Sequence, residues 1–222
     1  MKKIFLTVFL ICMTLTGCEY DNYDPPASIL SGRVLYGDEP VGVRSNGPQL
    51  ELWQDGYALS AKIAVSLDQD GNYSACLFDG NYKLVRLAGA PWENRTDTVP
   101  VTVKGNTVVD VPVTPYFVLR NVAFQKTGDL ITGSFVIEQV SPSANLSLAR
   151  LYIGKTVITD QNNNVASATL NAADLTVGQT VTLSVSIPES VIATGYLFAR
   201  VGVQTAGVGE LYYSESQKIE LR

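Results

Sequence analysis

The chain has 222 residues and a mass of 24.0 kDa, with 46% hydrophobic and 17% charged residues and a mean hydropathy of +0.13, too apolar for a disordered polypeptide and long enough for one or two β domains. Sixteen Lys+Arg against 21 Asp+Glu give a formal net charge of −5 with no block of five or more like charges, so no electrostatic footprint for nucleic acid is present. The chain has no histidine, which excludes Ser/His/Asp and Cys/His triads, His-ligated zinc and the commonest general base near neutral pH.

Lys2 and Lys3 open a basic segment, Ile4 to Leu15 is almost wholly apolar, and Leu15-Thr16-Gly17-Cys18 follows. The apolar run is shorter than the about 20 residues of a membrane span. With small Gly17 before Cys18 it resembles a bacterial lipobox, so residues 1–17 are expected to be a lipoprotein signal peptide and Cys18 the lipidated N-terminus. Acyl chains would then attach the chain to a membrane without a spanning helix. Loss of Lys2 and Lys3 makes the mature chain more negative, at −7. Residues 18–26, acidic, aromatic and ending in Pro25-Pro26, read as an extended tether. The acidic stretch resembles surface-export signals of Bacteroidota lipoproteins, which implies an outer-membrane address facing the cell exterior. Cys12 leaves with the signal and Cys18 is acylated, so Cys76 has no disulfide partner; without histidine to activate it, a packed strand cysteine is expected.

From Ser28 onward the pattern is strand. Ile63, Val65 and Leu67 alternate with polar or small residues, as do Val99, Val101 and Val103, and later Val181, Leu183, Val185 and Ile187. Period two predicts half-buried antiparallel strands. Gly105-Asn106 reads as a two-residue hairpin loop, and Asp68-Gln69-Asp70-Gly71-Asn72 as the turn joining the Ile63 strand to the Tyr73 strand. Pro100 and Pro112 assign their strands to sheet edges or bulges. The pattern predicts an all-β chain of two tandem antiparallel β-sandwiches, residues 27–115 with about seven short strands and residues 116–222 with strands at 116–124, 130–139, 146–154, 164–170, 179–187, 195–205 and 209–220. Only Asn171 to Leu175 reads as a helical turn.

Aromatic rings are the usual platforms for sugars, because C–H faces stack on them while polar neighbours bond the hydroxyls. Trp92 leads the candidates: it lies in a loop-like segment, Gly89 to Arg95, where Asn94 and Arg95 supply donors and acceptors. Trp53 and Tyr57, flanking the polar turn Gln54-Asp55-Gly56, are further candidates, and Tyr212 and Tyr213 are weighed with them. Tyr73 and Tyr82, at strand starts after glycine turns, are expected to cap a core. Asp68, Asp70 and Asn72 have the opening spacing of a calcium loop but lack its glycine register and bidentate Glu, so a turn is expected, and Asp160 to Asn164 is read as a solvated loop. No metal site, cofactor or catalytic residue is predicted. Asp97-Thr98-Val99 matches a short O-glycosylation pattern with Thr98 as acceptor.

Asp21-Asn22-Tyr23-Asp24-Pro25-Pro26, Leu30-Ser31-Gly32-Arg33-Val34, Asn46-Gly47 before Leu50-Glu51-Leu52, Asp70-Gly71-Asn72-Tyr73, Gly80-Asn81-Tyr82-Lys83-Leu84 and Val113-Thr114-Pro115-Tyr116 together resemble, in order over residues 18–120, a Bacteroidota lipoprotein family, domain of unknown function thirty-eight twenty-three. The resemblance implies a transthyretin-like or carboxypeptidase-regulatory-like β-sandwich followed by an immunoglobulin- or fibronectin-like one. It also implies an accessory of outer-membrane glycan transporters, with an oligosaccharide and the transporter complex as expected partners and no catalytic residues to carry over. The short Gly37-Asp38-Glu39-Pro40 turn departs from the family's longer loop. The function expected from these readings is non-catalytic polysaccharide capture at the cell surface. The alternative is an adhesive or assembly subunit that pairs with proteins through strands 179–187 and 195–205.

Overall fold

The computed structural model describes residues 24–56 and 61–221; the signal segment, Cys18, most of the tether and Tyr57 lie outside these. Two antiparallel β-sandwich domains follow one another. In the first, β1 (Ser28–Tyr36) lies antiparallel to β2 (Glu39–Pro40) and β5 (Asn72–Leu77). The facing sheet runs β4 (Ile63–Ser66), β3 (Gln49–Trp53), β6 (Gly80–Arg86), β7 (Val99–Val103). The valine-rich run after Gly105 forms β8 (Thr107–Val108) and β9 (Val111–Pro112), which pair parallel with β1. Gly105-Asn106 is therefore not the expected hairpin loop: it carries the chain from the edge of one sheet to the other, with Gly105 at φ 60°. Both prolines sit where a missing N–H is harmless, Pro100 on β7, which pairs only with β6, and Pro112 on β9, which pairs only with β1.

Alternation decides which side chains face inward. Leu30, Val34, Leu50, Leu52, Val65, Leu84, Val101 and Val103 fill the space between the two sheets, while Ile63, at the strand's start, stays partly exposed. Tyr73 and Tyr82 close the core as expected, their hydroxyls donating to the carbonyls of Val109 (2.6 Å) and Phe78 (3.0 Å). Cys76 corrects the reading. On β5, Tyr73 and Leu77 take the inward phase, so Cys76 falls with Ser74 on the outward one and is exposed; its thiol meets the Pro26 carbonyl at 3.1 Å.

In the second domain β10 (Phe117–Thr127), β11 (Leu130–Gln139) and β14 (Thr180–Ser186) form one sheet. The other runs β13 (Ala166–Asn171), β12 (Leu146–Gly154), β15 (Tyr196–Thr205), with β16 (Leu211–Tyr213) and β17 (Gln217–Glu220) both on β15. The single run expected at 209–220 is thus broken at Ser214–Ser216. A short 3-10 turn at Ala172–Asp174 occupies the predicted helical position, and one unforeseen helical turn spans Glu189–Ile192. Among the described residues no helix is long and apolar enough to cross a membrane.

The two cores are continuous: Trp92 and Val113 of the first domain belong to the same buried cluster as Phe117 and Val118 of the second. Polar contacts reinforce the junction. Tyr213 N–H donates to the Gly42 carbonyl at 2.9 Å in an antiparallel bridge. Arg44 holds both carboxylate oxygens of Glu210, through Nε at 3.2 Å and Nη2 at 2.5 Å. Arg120 is clamped between Glu138 of its own sheet and Glu39 of the first domain. A Cβ on Gly42 would lie 2.2 Å from the Tyr213 carbonyl oxygen, and backbone on both sides leaves nothing flexible to move. Gly42→Ala is therefore expected to cost about 1–3 kcal/mol and to separate the domains' unfolding, seen as broadening or splitting of a calorimetric transition.

Candidate binding site at the domain junction

Between the domains opens a cleft of about 710 Å³, within the roughly 300–1,000 Å³ typical of small-molecule sites. Its first-domain wall is built by two turns. Gly37 at φ 61° permits the tight β1–β2 connection that delivers Glu39 and Pro40. The turn at 68–72 is folded by the Asp68 carboxylate, which accepts from the N–H groups of Asp70 and Asn72 at 2.9 Å each and from Asn72 Nδ2 at 2.8 Å. These oxygens are spent on the turn, as expected, and the fold presents Gln69 and Asp70 to the cleft.

The second-domain wall depends on irregularities. β10 shifts register between Arg120 and Ala123, with Asn121 at φ 54°. This bulge re-aims the strand and brings Leu119, Val122 and Phe124 to the cleft, together with Tyr212 and the 214–218 segment. Phe124 packs beside Gly133, whose missing side chain makes room for the ring.

Behind this wall lies Arg200, fully buried. Its Nε donates to the Ser214 carbonyl at 2.7 Å, its Nη2 to the Gln69 carbonyl at 2.8 Å, and its guanidinium stands 4.5 Å from the centre of the Tyr213 ring. Burial pulls its pKa down to about 10 and pushes Tyr212 up to about 12; Tyr213 is raised for the same reason. Two buried polar atoms on cleft residues, Gln69 Oε1 and Ser216 Oγ, have no hydrogen-bond partner among the described residues.

The fold disperses the aromatic candidates. Trp92 is 1% exposed and forms a bridge with Pro115, so the leading candidate for sugar stacking offers no face to a ligand; the segment wraps back onto the linker, with Tyr116 N–H donating to the Pro91 carbonyl. Asn94, Arg95 and Thr98 are exposed beyond it, and none of them lines the cleft. Trp53 is half-buried on the outer phase of β3, its indole N–H donating to Glu51 at 3.2 Å. Of the tyrosines weighed, Tyr212 and Tyr213 do reach the cleft, though almost wholly buried. The 160–164 loop corrects another expectation: Asp160 is fully buried and accepts from the N–H groups of Asn162 and Asn163 at 2.8 and 2.9 Å. No group of three acidic or thiol ligands able to hold a metal is present among the described residues. Gln69, Phe124, Glu215 and Ser216 were not singled out in the sequence, and Asp70 was weighed only within a calcium-like spacing and assigned to a turn. The turn signal at 68–72 is plain in sequence, but that it faces the second domain is not.

The family models DUF3823 N-terminal domain and DUF3823_C match residues 28–114 and 117–218. The chain belongs to the DUF3823 family. A DUF3823 protein from Bacteroides ovatus is 42% identical, with 89% of this chain and all of that one covered and a TM-score of 0.82. One from Parabacteroides merdae is 37% identical at the same coverage and TM-score. A Bacteroides uniformis protein described provisionally as carbohydrate binding shares the fold at 20% identity and a TM-score of 0.73, over 88% of this chain and all of that one. Among curated proteins, none matches the chain.

Proposed function

We propose that this DUF3823 protein is a lipid-anchored surface protein that holds an oligosaccharide in the junction cleft, as a non-catalytic accessory of polysaccharide capture and import. One observation carries the reading: a cleft of sugar-sized volume is lined both by Phe124 and by the carboxylate acceptors of Asp70 and Glu215, the pairing of apolar face and hydroxyl partners that sugars require. The description of the Bacteroides uniformis protein supports the same class of ligand. Lipidation at Cys18 and outward display rest on the N-terminal motif, and single-site sugar binding gains from avidity at a membrane.

Affinity electrophoresis of the chain from Glu19 through gels of plant, host and bacterial polysaccharides tests the function. Retardation by at least one is expected, weakened about tenfold by Phe124→Ala, which removes roughly 1.4 kcal/mol of contact, and unchanged by Trp53→Ala. Retardation lost in Trp53→Ala alone would move the site to the outer sheet face. No retardation on any polysaccharide would overturn the glycan reading.

A second reading, a surface-assembly subunit, is favoured by β14. Its sequence, Thr180 to Ser186, is free of charge and proline, and it pairs with β11 alone, leaving an unguarded edge. The other strand expected to serve this role, β15, pairs with β12, β16 and β17 and lies inside its sheet. An assembly subunit would sediment in high-mass complexes that Thr182→Lys disperses.

A further inference from the structure

We infer that the glycan held in the junction cleft is uncharged, and that the cleft excludes uronate- and sulfate-bearing polysaccharides. This rests on the reading of the cleft as a glycan site and concerns its selectivity. Four charged side chains line the cleft: Glu39, Asp70, Glu215 and Lys218. The only cation among them is already engaged, Lys218 Nζ lying 2.7 Å from Glu220 and 4.5 Å from the centre of the Tyr196 ring. The neighbouring guanidinium of Arg120 is held between Glu39 and Glu138. Arg200 is fully buried, its guanidinium covered by the Tyr213 ring at 4.5 Å. Among the described residues an anionic sugar would therefore meet no unengaged guanidinium or ammonium in the cleft, the groups that recognise carboxylate and sulfate.

Acceptors, by contrast, are in excess. Asp70 and Glu215 touch no cation among the described residues. Gln69 is only 8% exposed and its Oε1 is buried, without a donor among the described residues, so the acceptors open to a ligand are the two carboxylates. With three carboxylates against the one ammonium of Lys218 the lining is net negative, and its field reaches into the cleft over about 8 Å at physiological salt, where it repels polyanions. A neutral sugar's hydroxyls are donors, and each acceptor can take one. Among the described residues no three carboxylates are grouped to hold a metal ion that would reverse this preference.

The test compares retention of the chain from Glu19 on neutral polysaccharides (laminarin, xyloglucan, galactomannan) and anionic ones (polygalacturonate, alginate, chondroitin sulfate), at low and high salt. Retention by a neutral polysaccharide, changing less than about twofold with salt, is expected together with none on the anionic set. Because a carboxylate accepts hydrogen bonds about twice as strongly as an amide, Asp70→Asn with Glu215→Gln should weaken neutral binding about tenfold. Circular dichroism of that variant should match the unaltered protein, with only a small decrease in thermal stability, since neither side chain forms an ion pair among the described residues and the Asp70 carboxylate acts on buried Arg200 through space. Salt-sensitive retention by an anionic polysaccharide would overturn the inference and leave glycan binding standing. Unchanged neutral binding in the double variant would also overturn it. Absence of retention on both sets would instead overturn the glycan function itself.

Discussion

Arg200→Ala is expected to destabilise the protein by about 3–5 kcal/mol, from the cavity left by a large buried side chain and the two carbonyls left without a donor, and so to lower its melting temperature by about 10 °C for a chain of this size. The side chain is fully buried and joins the two domains. Its loss leaves the carbonyls of Gln69 and Ser214 without their donors, removes the cation from the Tyr213 ring and opens a void at the centre of the junction. Against this stands the cost of burying a guanidinium, visible in a pKa pulled down to about 10. Arg200→Met keeps the apolar stem and removes that cost, so it should recover about half of the loss. The sign of the burial term gives a further check. Between pH 10 and the ordinary arginine value of 12.5 the unfolded chain binds the extra proton, so this group's penalty is fully present below pH 10 and is relieved as pH rises through that window. Over the neutral range the arginine contributes no slope. Denaturant titration of the three proteins measures all of this.

Trp92→Ala is expected to cost about 3–5 kcal/mol as well, the range for deleting a large buried aromatic, while leaving binding in the cleft unaltered in the protein that remains folded. The ring is 1% exposed and sits where the first domain's core meets Val113, Pro115 and Phe117. A stability loss with intact glycan retention identifies a packing residue. Loss of retention with the melting temperature unchanged would make Trp92 a ligand contact after all. Trp92→Phe, which fills most of the space and dispenses with an indole N–H that has no partner, should cost less than half as much.

The strands and the two-sandwich architecture were legible because alternation is a local signal. Val181, Leu183, Val185 and Ile187 all face inward where period two puts them. The outward phase of Cys76 was equally readable, since Tyr73 and Leu77 set the inward one, but its scarcity of partners suggested burial instead. What local pattern could not carry is pairing between distant segments. The run after Gly105 has a hairpin's composition, yet its partner is β1, about 75 residues earlier in the chain. Trp92 reads as a loop aromatic because its neighbours are glycine, proline and charged residues, and only the return of the chain at Pro115 covers it. The cleft was the least legible part. Its walls come from a turn at 68–72, a bulge at Arg120–Ala123 and a break at Ser214–Ser216, which look like ordinary punctuation until the domains are brought together. The resemblance over residues 18–120 supplied the family and architecture but no site.

We propose the junction cleft, and not an exposed tryptophan, as the place where this protein meets its ligand. Hydrogen exchange of the chain from Glu19, with and without the neutral polysaccharide that retards it most, tests that claim directly. Protection is predicted in residues 38–43, 67–72, 119–124 and 212–218, with none at 49–53 or 89–95. Protection confined to the strand carrying Trp53 or to the Trp92 segment, with the cleft unchanged, would contradict it.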